Sequence, residues 1–165
     1  MKKVKISFFF LIFLGIAAFL SFLIKKETPI SLFPNLSFAT RIEIEESCIL
    51  QKKDKEWVAV FSEKDFVYAD KEKVEVFLYR LTKAKQDALI SEKEEKHSIF
   101  GVDKGIQVKI YKKKKVLADF IVGNMCADFT SIYLRKKGSN KVFLVRNFPY
   151  IMKNPNYWLK MEKGD

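Results

Sequence analysis

The stretch Ile106-Gln107-Val108-Lys109-Ile110-Tyr111-Lys112-Lys113-Lys114-Lys115-Val116-Leu117-Ala118-Asp119-Phe120-Ile121-Val122 decides the fold class. Ile106, Val108 and Ile110 alternate with Gln107, Lys109 and Tyr111, the period-two pattern of a half-buried strand. Val116 to Val122 is the partner strand, and the four lysines between them form the tip of an antiparallel hairpin.

Downstream, Gly123-Asn124 closes this hairpin. Ser131 to Arg135 and Val142 to Val145 make a second one around Gly138-Ser139-Asn140, a strong turn signal. Phe148 to Met161 contains Pro149, Pro155, Tyr157 and Trp158, and is expected to form a short helix or loop that covers the sheet. Upstream, Phe100-Gly101-Val102-Asp103 is a turn, with Gly101 supplying unusual backbone angles. The charged stretch Ser91 to Ser98 suggests a helical turn, and Ala88-Leu89-Ile90 a short strand. Val74, Phe77, Leu78, Leu81 and Ala84 recur at three- and four-residue spacing behind Asp70, which predicts an amphipathic helix with an aspartate N-cap. Before it, Arg41 to Glu45 alternates. Cys48 to Gln51 and Glu56 to Phe61 form a hairpin around Lys52 to Lys55. One main helix between two sets of hairpins predicts an α+β domain with an antiparallel sheet.

At the N-terminus, Ile6 to Ile24 (ISFFFLIFLGIAAFLSFLI) holds 19 residues without a charge. As a helix it would be about 28 Å long, close to the hydrocarbon thickness of a bilayer. It is longer than a signal-peptide core and ends at Lys25-Lys26 rather than at small residues, which favours an uncleaved transmembrane anchor. Lys2, Lys3 and Lys5 outweigh Lys25 and Lys26, offset by Glu27, so the N-terminus is expected inside. The expected fold class is therefore α+β: an N-terminal transmembrane helix, then a strand-rich antiparallel domain with one main amphipathic helix. Residues 1–24 form a cytoplasmic stub and anchor, 25–39 a linker and 40–165 an extracytoplasmic domain. The linker, with Pro29, Pro34 and several apolar residues, either lies on the membrane, packs back on the domain or simply connects.

The formal net charge is +11. Lysine supplies most of it, with Arg41, Arg80, Arg135 and Arg146 the four arginines. Nucleic-acid readers favour arginine forks, and a lysine-rich surface suits anionic headgroups equally well. Nucleic acid is not expected as a partner. Cys48 and Cys126 are either a disulfide of an oxidising compartment or two small buried hydrophobes.

No catalytic, cofactor-binding or metal-binding residues emerge. His97, the single histidine, sits in a charged stretch and reads as a solvated surface residue. Asp119, Cys126 and Asp128 are close in sequence, but a strand, a glycine and a loop separate them. The six glycines are scattered, so there is no phosphate-binding loop. Carboxylates are interleaved with lysines rather than paired. Lys112, Lys113, Lys114 and Lys115 remain as a candidate anionic-surface contact, toward headgroups or an acidic partner. The alternative is a solvated tip that blocks edge pairing.

The order of these pieces resembles the domain-of-unknown-function family DUF4340. The matching features are the alternating first strand, Lys53-Asp54-Lys55-Glu56-Trp57, and the helix opening at Ala69-Asp70. They continue with Phe100-Gly101-Val102-Asp103, Val108-Lys109-Ile110, Val122-Gly123, Tyr133-Leu134-Arg135 and Val142 to Val145. The resemblance implies a bacterial envelope protein with an N-terminal hydrophobic segment, in some members associated with ABC-transporter or gliding-motility-type systems. It carries no established catalytic residues. This chain holds one copy of the domain where many relatives are longer.

The expected function is a membrane-anchored, non-catalytic, extracytoplasmic accessory or interaction domain of an envelope assembly. Its expected place is the bacterial inner membrane, single-pass, with the membrane engaged through residues 6–24 and a protein partner in the envelope. The alternative is a binding protein for a lipid or cell-wall ligand that uses Trp57, Tyr133, Tyr157 and Trp158.

Overall fold

Alternating patterns become nine strands among the described residues. They are β1 (Arg41–Ile44), β2 (Cys48–Lys53), β3 (Glu56–Val60), β4 (Phe66–Tyr68), β5 (Lys85–Ser91), β6 (Ile106–Lys112), β7 (Lys115–Met125), β8 (Ser131–Lys136) and β9 (Val142–Arg146). The computed structural model describes residues 31–33, 35–62 and 65–160. All nine strands join one antiparallel sheet in the order β4-β3-β2-β1-β6-β7-β8-β9-β5.

Register puts the apolar residues on one face. Ile42 stands opposite Leu50 and Ile110, and Ile44 opposite Cys48 and Val108. Phe120 faces Val108, and Val122 faces Leu134. All of these are buried. Such cross-strand apolar pairs stabilise a sheet by roughly 0.2–1 kcal/mol each.

Helix α1 (Lys71–Lys83) links β4 to β5, which are the two outer strands. Asp70 caps it, accepting from the Glu72 and Lys73 amides at 3.0 and 3.2 Å. Laid flat, nine strands would set the sheet's edges about 38 Å apart. The helix is only about 20 Å long. The connection closes because the sheet curls around α1. Val74, Phe77, Leu78 and Leu81 plug the concave face. Leu32, Phe33, Leu36 and Ala39 fill it further, as do Ile151 and Trp158 from the C-terminal segment.

The loop between β5 and β6 covers part of the convex face. Its Val102 packs with Ile121 and Val142, flanked by Phe100 and Tyr133.

The antiparallel order sorts the turns onto two ends. The β2–β3, β6–β7 and β8–β9 turns emerge at one end, called here the lysine end. The β1–β2, β3–β4 and β7–β8 turns emerge at the other. Ser31 bridges to Lys85 at the start of β5, so the described chain begins at this second end.

Among the described residues the expected α+β class is corrected to a mostly-β fold, one antiparallel sheet with one α-helix. Hairpins are local and were legible. The β1–β6 and β5–β9 pairings are not local, and they fuse the two hairpin groups into one sheet. Strand β4 was also missed, because Phe66, Val67 and Tyr68 are all exposed and carry no alternation. The transmembrane part of that expectation finds no counterpart in the structure. No helix among the described residues is long and apolar enough to cross a membrane. The segment Ile6 to Ile24 lies outside the described residues.

Candidate functional site

The lysine tip forms as a tight turn in which Lys112 pairs with Lys115 and Lys113 takes φ 55°. Thr40 anchors it: its hydroxyl oxygen accepts from the Lys113 amide at 2.7 Å, and its own amide donates to the Tyr111 carbonyl at 2.7 Å. Lys112 to Lys115 are all exposed. The Lys112 ammonium stands 4.7 Å from the centre of the Phe38 ring, itself exposed. Lys53 and Lys55 from the β2–β3 turn and Lys136, Lys137 and Lys141 from the β8–β9 turn leave the same end of the sheet. The rim is strongly cationic. Below it, Tyr111 donates to Glu43 at 3.0 Å. Burial, followed by the Glu43 carboxylate, raises the phenol's pKa.

A second feature was not singled out from the sequence. Helix α1 and the C-terminal segment enclose a groove of about 360 Å³. Its floor is Phe77 and Trp158, buried and edge-to-face with ring centres 5.3 Å apart. The Trp158 indole N–H donates to the Met152 carbonyl at 3.2 Å, which folds the C-terminal segment on itself and fixes the ring that packs on Phe77. Lys73 ties the other side, donating to the Tyr157 carbonyl at 3.0 Å. Val76, Arg80 and Tyr150 line the open part and are exposed. Arg80 makes no ion pair among the described residues. In the sequence, Arg80 falls off the apolar stripe of the helix, and Tyr150 falls in the proline-containing stretch Phe148 to Met161. Val76, apolar yet off the buried stripe, was the available signal.

The residues weighed for chemistry are not brought together. His97 is buried rather than solvated, which corrects the sequence expectation. Its Nε2 is 3.0 Å from the Asn140 carbonyl. A carbonyl only accepts, so Nε2 carries the proton. This bond pins the β5–β6 loop to the β8–β9 turn. Asp119 accepts from the Gln107 amide group at 2.7 Å. Asp128 accepts from the Thr130 amide, the Ser131 amide and the Ser131 hydroxyl at 3.0, 2.9 and 2.7 Å. The Ser131 hydroxyl first, then the two amides, lower its pKa to about 2. Among the described residues no three His, Cys, Asp or Glu side chains cluster as metal ligands would. Cys48 is buried, Cys126 half-buried, and both are free thiols. Of the four aromatics weighed for a ligand, Trp57 and Trp158 are core. Tyr133 packs on Phe100 at 4.8 Å, and Tyr157 lines the groove.

Three pieces of sequence spread over 36 residues converge on the convex face: Phe100-Gly101-Val102-Asp103, Val122-Gly123 and Tyr133-Leu134-Arg135. Arg135 donates to the Val102 carbonyl, and the Tyr133 ring packs tilted against Phe100. A Cβ at Gly123 would collide with the Phe100 carbonyl and the Val102 side chain. These residues pack a loop onto a sheet.

A family model described as Domain of unknown function (DUF4340) matches residues 57–162. No curated protein and no solved structure matches the chain.

Proposed function

The chain belongs to the DUF4340 family, whose function is unknown, and from that premise we propose that it is a non-catalytic, membrane-tethered interaction domain outside the cytoplasm, an accessory to an envelope assembly. The uncharged run Ile6 to Ile24 supports the tether and the inner-membrane placement, and the lysines before it support an inside N-terminus. The observation that carries the interaction reading is the α1 groove. Tyrosine and arginine are the residue types that anchor protein interfaces. Here Arg80 lines the same groove as Val76, Tyr150 and Tyr157, without an ion pair among the described residues. The occupant is a neighbouring envelope membrane protein that offers a carboxylate to Arg80 and an apolar side chain to the tyrosines. A transporter subunit fits the association that the family resemblance implies. The lysine end is a second contact toward an acidic partner.

The rival reading, a binding protein for a lipid or cell-wall ligand, needs an open apolar cavity. It has less support, because α1, Leu32, Phe33, Leu36 and Ala39, and the C-terminal segment occupy the concave face.

The test is a photo-crosslinking amino acid at Tyr150 in cells that express the full chain. The expected result is one discrete adduct with an envelope membrane protein. It should be lost with Arg80→Glu and absent when the crosslinker replaces Leu89, which is exposed on β5. Equal crosslinking from both positions, or none from Tyr150, would refute the reading.

A further inference from the structure

The β7–β8 turn holds an aromatic side chain out into water. Phe129 is 80% exposed, the highest value among the large hydrophobics of the described residues, and Met125, the last residue of β7, is 46% exposed. The turn is well fastened. The Cys126 amide donates to the Ser131 carbonyl at 2.8 Å, and the Phe129 amide to the Cys126 carbonyl at 3.0 Å. Asp128 adds its bonds to Thr130 and Ser131. Phe129 itself has φ 54°, a left-handed conformation that is uncommon for a bulky residue. An exposed phenylalanine fixed in an unfavourable conformation contributes nothing to the core of the domain.

Its position in the sheet gives it a role. Ser131 stands opposite Arg146, Arg146 opposite Lys85, and Lys85 opposite Ser31. These four residues form one transverse row, about 14 Å from Ser131 to Ser31. Phe129 projects from the end of the sheet at which the described chain begins. Seven peptide steps separate Ile24, the last residue of the apolar run, from Ser31. That length of chain reaches at most about 25 Å. Lys85 and Arg146 are exposed in the same row, and Lys25-Lys26 lies just upstream in the sequence. Arg146 pairs with Asp87 at 3.0 Å, and the Asp128 carboxylate is taken up inside the turn.

We propose that the β7–β8 turn docks the domain on its own membrane, with the Phe129 ring in the headgroup layer and Lys85 and Arg146 facing anionic lipid. Phenylalanine and other large apolar side chains, flanked by basic residues, insert at the headgroup–acyl boundary of anionic membranes. The inference rests on the tether reading. It also orients the domain: the lysine end, at the other end of the strands, points away from the membrane and toward partners.

The test uses the full chain in proteoliposomes of anionic lipid, with and without lipids that carry a nitroxide quencher near the headgroup. Phe129→Trp reports on the Ser31 end and Phe38→Trp on the lysine end. The two native tryptophans are buried and supply a common background. The expected result is a blue-shifted emission from Phe129→Trp that the quencher reduces several-fold, with Phe38→Trp unchanged. Quenching at Phe38→Trp, or at neither position, overturns the proposal. Thermal melts matching the unsubstituted chain verify that both variants fold. Alkaline extraction of the same vesicles tests the tether separately: release of the chain overturns the tether reading, whereas retention with a water-exposed Phe129→Trp overturns only the docking.

Discussion

Arg135 on β8 donates to the Val102 carbonyl from Nε at 3.3 Å and from Nη2 at 3.1 Å. Its Nη1 reaches the Ser139 carbonyl at 3.2 Å. One side chain thus fastens the β5–β6 loop and the β8–β9 turn to the convex face. Arg135→Ala leaves the carbonyl of fully buried Val102 without this donor. A loss of about 1–3 kcal/mol is expected. Urea denaturation measures it, and amide exchange in residues 92–103 should accelerate before the rest of the sheet. Uniform acceleration would contradict a local clamp.

Gly123 is required for close approach. A methyl there meets the Phe100 carbonyl and the Val102 side chain, while Gly138 faces open space but has φ 77°. Gly123→Ala should destabilise by about 1–3 kcal/mol through overpacking. Gly138→Ala should cost about 1 kcal/mol through backbone strain alone. Thermal melts of the two variants decide, and Gly138 costing more would refute the packing argument.

Trp158 joins the C-terminal segment to α1. Its ring lies against Phe77, and it is 1% exposed. Trp158→Ala should cost about 3–5 kcal/mol. It should also open the groove, so that limited proteolysis cuts between residues 147 and 160 first. A melt unchanged from the parent chain would remove the groove's floor from the account.

Asp128 sets a pH window. Its folded-state pKa lies at about 2, below the ordinary carboxylate value, because Ser131 and Thr130 donate to it. A depressed pKa stabilises the folded turn above the unfolded-state value, near 4, and the contribution is lost as the pH falls through the folded-state value. Amide exchange at Thr130 and Ser131 should stay slow, relative to the intrinsic rate, at about pH 4 and rise toward about pH 2. Asp128→Asn should remove that dependence. Parallel curves for the two proteins would show that the carboxylate is not responsible.

Local patterns carried much of the secondary structure. The alternation around Lys112 to Lys115 predicted β6, β7 and the basic tip, and the stripe behind Asp70 predicted α1. Turn signals such as Gly138-Ser139-Asn140 placed the β8–β9 hairpin. Each of these depends on contacts between residues near in sequence, so the sequence by itself determined them.

Only the tertiary structure decided what lies far apart in the chain. Strand β1 pairs with β6, and β5 with β9, across long separations, and those pairings turn two hairpin groups into one curled sheet. Curling buries Leu32, Phe33 and Leu36, which sequence left open between membrane surface, domain surface and plain connector. His97 looked solvated because its neighbours are charged, yet the loop that carries it folds onto Asn140, which is 43 residues away. The groove at Arg80 and Tyr150 has no sequence motif, since its walls meet only when the C-terminal segment returns to α1. The row from Ser31 to Ser131 exists only through strand register. Periodicity records which face of an element is buried, whereas the choice of partner strand depends on packing complementarity across the whole sheet, and that is not written in any one segment.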